Sequence, residues 1–119
     1  MTDDGPRVVA VVRDLFFVAR IRETARLAAI PLQFARTPEE LAAALQERAR
    51  FVLLDLTDGF DYAKVFDAVE AGGRPPVLGF TTHALARQSQ PWHARCDRVV
   101  TKEVLTQELP TLLRDGVAA

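Results

Sequence analysis

The chain is predicted to be an α/β protein, a three-layer α/β/α sandwich around a five-stranded parallel sheet. Three observations lead there. Short, largely apolar runs recur five times, each followed by a stretch that reads as helical. The connections are short, so successive strands run parallel and are joined by right-handed crossovers. Finally, Phe51-Val52-Leu53-Leu54 shows no polar alternation, as a strand buried on both faces requires. Asp55 closes that run and emerges at the carboxyl edge of the sheet, where open α/β sheets bind ligands and do chemistry.

The first strand is expected over 7–12, a β-branched run ending at Arg13-Asp14. Val18, Ile21, Ala25 and Ala28 then recur at steps of three and four while Arg20, Glu23 and Arg26 fall elsewhere, which gives a helix with one packed stripe. Pro31 is expected to end it, and 32–35 forms the second strand. Thr37-Pro38-Glu39-Glu40 supplies an N-cap, a proline at the first helical position and a glutamate three residues after the cap, a capping box. Leu41, Leu45 and Ala49 are its expected buried face, and the 51–55 strand follows. After the Thr57-Asp58-Gly59 loop, Tyr62, Val65, Phe66 and Val69 stand at helical spacing until Gly72-Gly73 and Pro75-Pro76 stop the chain. Residues 77–80 form the fourth strand, ending at Thr81-Thr82. The 83–95 segment is helical by propensity but carries Pro91, so a broken or shortened helix is expected. A brief fifth strand over 98–100 leads to a last helix marked by Leu105, Leu109, Leu112 and Leu113, with Pro110 expected in its first turn and its start near Thr106.

Composition narrows the function. A chain of 119 residues fits one domain with a buried core and is expected to carry no separate output module. Charged residues are 26% and nearly cancel to a net charge of −1, which argues against direct nucleic-acid or membrane-surface binding. Cys96 is the one cysteine, so there is no internal disulfide and no metal-ligand spacing; it reads as a reduced, small buried side chain. No apolar run approaches the roughly 20 residues of a membrane span, and the first residues lack signal-peptide character. A cytoplasmic protein is expected.

Four strand ends deliver polar groups to one edge: Arg13 and Asp14, then Asp55, then Thr81, then Thr101 and Lys102. In this order they resemble the receiver domain of two-component response regulators, over roughly residues 7–113. The resemblance implies a flavodoxin-like (βα)5 fold with strand order 2-1-3-4-5. It also implies that Asp55 is the phosphoryl acceptor, Asp14 and Asp55 are metal-binding acids, Thr81 is the switch hydroxyl and Lys102 pairs with the acceptor. The protein it implies is not an enzyme but a signalling module with a protein partner, a histidine kinase or downstream effector. A homodimer through the strand-five face is implied by the resemblance alone; Arg87, Arg95 and Arg98 would supply charges there, and a solvated helix face explains them equally well.

Three residues depart from that pattern. Arg13 stands where the family has a second acid, so Asp14, Asp55, Arg13 and Lys102 sum to zero charge where a typical site sums to about −2. At about 4 Å and an effective dielectric near 20, one charge pair is on the order of 4 kcal/mol before desolvation, so Mg²⁺ binding is expected to be weak if present. Arg13 is expected to take the metal's place by a charge-assisted hydrogen bond to Asp55, a regulatory contact. Glu103 replaces the proline that follows the family's lysine; because a non-proline cis bond costs roughly 2.5–4 kcal/mol, a trans bond is expected. Leu15-Phe16-Phe17 is more apolar than the family's first loop, which places at least one of these side chains near the mouth of the site. The chain is thus read as an atypical, stand-alone pseudo-receiver in which Asp55 phosphorylation is weakened or absent, with a working phosphorelay receiver as the alternative.

Other residues are assigned less. His83 is read as a surface or capping residue, His93 receives no metal, Trp92 is expected to pack against the sheet, and Asp58 and Asp61 are expected in a solvated turn. A flavodoxin-like cofactor domain would want a Gly/Ser/Thr-rich loop after the first strand, and Arg-Asp-Leu-Phe-Phe is not one. A hydrolase elbow of the Gly-x-Ser-x-Gly type is absent, and Ser89 is the only serine.

Overall fold

Side chains alternate along a strand, and here both faces of the sheet are apolar, so the strands carry two cores. The computed structural model describes residues 6–118. Strands β1 (Arg7–Val11), β2 (Leu32–Ala35), β3 (Ala49–Asp55), β4 (Val77–Thr81) and β5 (Arg98–Thr101) form one parallel sheet in the order β2-β1-β3-β4-β5. On one face Val8, Ala10, Leu53, Leu78 and Phe80 meet Phe17, Val18, Ile21 and Ala25 of α1 (Leu15–Leu27) and the leucines of α5 (Lys102–Asp115). On the other, Val9, Val11, Val52, Leu54 and Val77 meet α2 (Pro38–Ala44) and α3 (Tyr62–Ala71), with Trp92 of α4 (Ala86–His93) packed alongside. This is the expected sandwich and strand order. Among the described residues no helix is long and apolar enough to cross a membrane.

The differences are at helix ends. Helix α1 stops at Leu27, before Pro31: Ala28 is its exposed C-cap, Ala29 takes a left-handed φ of 56°, and the Pro31 carbonyl already accepts from Val8 N–H at 2.9 Å. Helix α2 is shorter than its apolar spacing suggests, because Ala49 belongs to β3 and pairs with Arg7. Thr37 caps it as expected, its Oγ1 accepting from Glu40 N–H at 3.0 Å, but the Glu40 carboxylate reaches one residue further back, to Arg36 N–H at 2.8 Å. Helix α4 is the shortened one and runs through Pro91 near its end. Helix α5 starts at Lys102 rather than near Thr106, because the Thr101 hydroxyl caps it at Val104 N–H (3.1 Å) directly after β5. Pro110 supplies no N–H, and the helix kinks at Glu108 (φ −116°, ψ 20°), which leaves Pro110 in the first turn of the second segment. The backbone contains no cis bond among the described residues.

Thr37→Ala removes one N-cap acceptor and is predicted to lower unfolding stability by about 1 kcal/mol, read as a lower urea midpoint with an unchanged slope.

Candidate functional site

The carboxyl edge is built outward from Asp55, the last residue of β3 and only 1% exposed. Its Oδ1 accepts from Thr57 N–H at 2.8 Å and from the Thr57 hydroxyl at 2.6 Å, while its backbone carbonyl accepts from the Tyr62 hydroxyl at 2.8 Å. Burial holds the Asp55 carboxyl above its ordinary value, against the opposing pull of Thr57's hydroxyl and N–H and of Lys102's charge. Burial also pushes the Tyr62 phenol up. Tyr62 in turn accepts from Asp58 N–H at 3.2 Å, which ties the β3–α3 loop to the strand end.

Arg13 does not reach Asp55. Its guanidinium donates to the Asp58 carboxylate at 3.3 Å and to the Asp58 carbonyl at 2.5 Å, and it lies 4.1 Å from the centre of the Phe60 ring. The expected Arg13–Asp55 bond is therefore replaced by a strap from the β1–α1 loop to the β3–α3 loop. The physical reason is solvation: this side chain stays 42% exposed beside a flat ring and a half-buried acid, whereas Asp55 lies deeper with Oδ1 already filled. The strap is an exposed pair and contributes little to stability. Asp58 is thus an ion-pair partner rather than a purely solvated turn residue, and Asp61 caps α3 by accepting from Lys64 N–H at 3.2 Å.

The other expected site residues are placed as follows. Asp14 is the N-cap of α1, its Oδ1 accepting from Phe16 N–H (2.9 Å) and Phe17 N–H (3.3 Å). The ammonium of Lys102 sits 5.0 Å from the Phe17 ring centre, and among the described residues no ion pair joins it to Asp55. Phe17 fills core against Phe80 (ring centres 5.7 Å apart), while Leu15 and Phe16 stay 71% exposed next to Asp14. Thr81 is buried and bonds to α4, its Oγ1 2.9 Å from Ser89 Oγ, which is itself 2.8 Å from His93 Nε2. From sequence His93 is given no metal and Ser89 no role, and their link to Thr81 is not seen; their four-residue spacing, which puts both on one helix face after the strand ending in Thr81, is the available signal. His83 is exposed. Trp92 stacks on Phe66 (6.0 Å, 18°) and nears Tyr62 (5.8 Å), both of α3, and packs against the core on that face of the sheet. Cys96 is half-buried, its thiol pushed up to about 12 by burial, and it lies where a Cβ on Gly79 would come within 2.9 Å of its sulfur.

A magnesium ion asks for several free carboxylate oxygens. Here the two candidate acids already serve Thr57 and the start of α1, the position of a further acid is Arg13, and among the described residues no group of three or more His, Cys, Asp or Glu is placed to hold a metal. Oδ1 of each acid is thus engaged, and the remaining carboxylate oxygens make a sparse donor set for the ion.

No family model matches this chain, and no curated relative does. Solved structures share its fold. The receiver domain of the sensor histidine kinase PA1611 from Pseudomonas aeruginosa PAO1, determined with a magnesium ion coordinated in its active-site cleft, matches with a TM-score of 0.75 at 17% identity, over 97% of this chain and 99% of that one. A response regulator from Burkholderia pseudomallei, with a phosphorylated aspartic acid, calcium and citrate, matches with 0.68 at 13% identity over 95% and 69% of the two chains. A de novo designed Rossmann 2x3 protein matches with 0.66 at 15% identity over 92% and 90%. The architecture is that of response-regulator receiver domains; since a designed protein shares it, the likeness carries the fold and not the chemistry.

Because the folded carboxyl of Asp55 titrates above its unfolded value, both states are protonated in acid, and this group's contribution to stability is lost as the pH rises and the unfolded chain loses its proton first. Asp55→Asn keeps an acceptor for Thr57 without the charge. Its urea midpoint is predicted to exceed that of the wild type by an amount that grows from acid to neutral pH; an advantage independent of pH contradicts the assignment.

Proposed function

We propose that this chain is a signalling interaction module on a receiver-type fold, acting through contact with a protein partner and not through Mg²⁺-dependent phosphorylation of Asp55. The observation that carries the reading is the Arg13 strap: a cation stands in the place of a metal-binding acid and is engaged by Asp58, while Asp14 is spent on capping. Asp55, Thr81 and Lys102 serve in this reading as structural members of the edge, holding its loops in one arrangement. The partner is a kinase or a downstream effector, the module is no enzyme in its own right, and contact with nucleic acid or membrane forms no part of it.

A second reading, a working phosphorelay receiver with Asp55 as acceptor, draws support from one fact: Asp55, Thr81 and Lys102 all stand at strand ends on a single edge.

The two readings part on magnesium. In an amide NMR titration, the Asp14, Asp55 and Thr57 resonances of the wild type are predicted not to saturate at low-millimolar Mg²⁺, whereas Arg13→Asp, which restores an acid pair, saturates. Saturation in the wild type supports the second reading.

A further inference from the structure

Ser89 is buried at 2% exposure and its one hydroxyl proton has three neighbours: the Ala86 carbonyl at 3.2 Å, Thr81 Oγ1 at 2.9 Å and His93 Nε2 at 2.8 Å. A carbonyl only accepts, so Ser89 donates to Ala86. The other two contacts then need their protons from the far side. His93 must carry its proton on Nε2, and Thr81 must donate to Ser89. All three bonds are satisfied together in this pattern alone, and a buried hydroxyl left short of a partner is costly.

Thr81 has one proton, and it is committed to α4. It is buried at 4% exposure at the end of β4, next to the strand that ends in Asp55, and it makes no hydrogen bond to Asp55. We propose that Ser89 and His93 are positioning residues that hold the Thr81 hydroxyl toward α4, so that the hydroxyl is closed to acceptors at the Asp55 edge until α4 moves. The chain runs from a buried strand end through a buried serine to a half-buried imidazole, which links the edge to the surface of α4 near Trp92. Pro91 lies between Ser89 and His93 and supplies no backbone N–H, which leaves this end of α4 with fewer helical bonds to resist displacement. The inference rests on the carboxyl edge being the functional one, and it is indifferent to whether Asp55 takes a phosphoryl group.

The test needs neither metal nor phosphoryl donor, so its failure is separate from failure of the functional reading. Side-chain NMR of the wild type is expected to show His93 protonated at Nε2 and a slowly exchanging Thr81 hydroxyl. Ser89→Ala and His93→Ala are each expected to speed that exchange by about tenfold or more, and His93→Gln, which keeps an N–H donor, to bring it back toward the wild-type rate. A bare Nε2, or Thr81 exchange unchanged by both alanine variants, overturns the proposal. So does an equal acceleration in Gln90→Ala, on the exposed side of α4, since that would reflect general loosening of the helix.

Discussion

Helices in a parallel α/β sheet begin at the carboxyl edge, and their first N–H groups need acceptors there. That demand shapes everything else at this edge. Asp14 serves α1, Thr37 serves α2, Asp61 serves α3 and Thr101 serves α5, each through a side-chain oxygen. Residues that look like ligands when read along the sequence are therefore already accepting from backbone. Asp55 escapes capping because a loop separates it from α3, whose cap is Asp61, yet it too is engaged, by Thr57 two residues on. At this edge Oδ1 of Asp14 and Oδ1 of Asp55 are both turned to their own chain.

Charge follows the same polarity. At the opposite edge, where helices end and carbonyls are left over, arginines do the satisfying: Arg7 donates to the carbonyls of Ala44 and Arg48, and Arg50 to that of Arg114. Acids stand at or beside the starts of α1, α2, α3 and α5, as Asp14, Glu39 and Glu40, Asp61 and Glu103. Arg13, like Lys64 and Lys102, is a cation among helix starts. It settles on Asp58 and the Phe60 face, and in doing so ties the loop after β1 to the loop after β3 across the mouth of the site.

The layers, the strand boundaries to within two residues and the cap at Thr37 were legible because each depends on local pattern: apolar runs, helical spacing, and a Thr-Pro-x-Glu start. The strand order came from resemblance and not from pattern. Helix ends were less legible. Nothing in the spacing of Leu41, Leu45 and Ala49 reveals that β3 has already begun at Ala49, since an alanine fits either element. Charge counting identified Arg13 as the unusual residue but gave it the wrong partner, because it weighed charge against charge and left out depth. Asp55 is nearly inaccessible, whereas Asp58 is only half-buried and the Phe60 ring lies against the Arg13 guanidinium beside it. Thr81 was found, and its partners were not: Ser89 and His93 matter through a contact between a strand end and a helix that only the packed fold brings together.

The central claim is that the Arg13 strap and the engaged acids leave Asp55 without the metal that aspartyl phosphorylation would use. It is tested most directly by the intact mass of the protein after incubation with acetyl phosphate and Mg²⁺. The account predicts an unmodified mass for the wild type. A mass increase of one phosphoryl group that is lost in Asp55→Asn would contradict it.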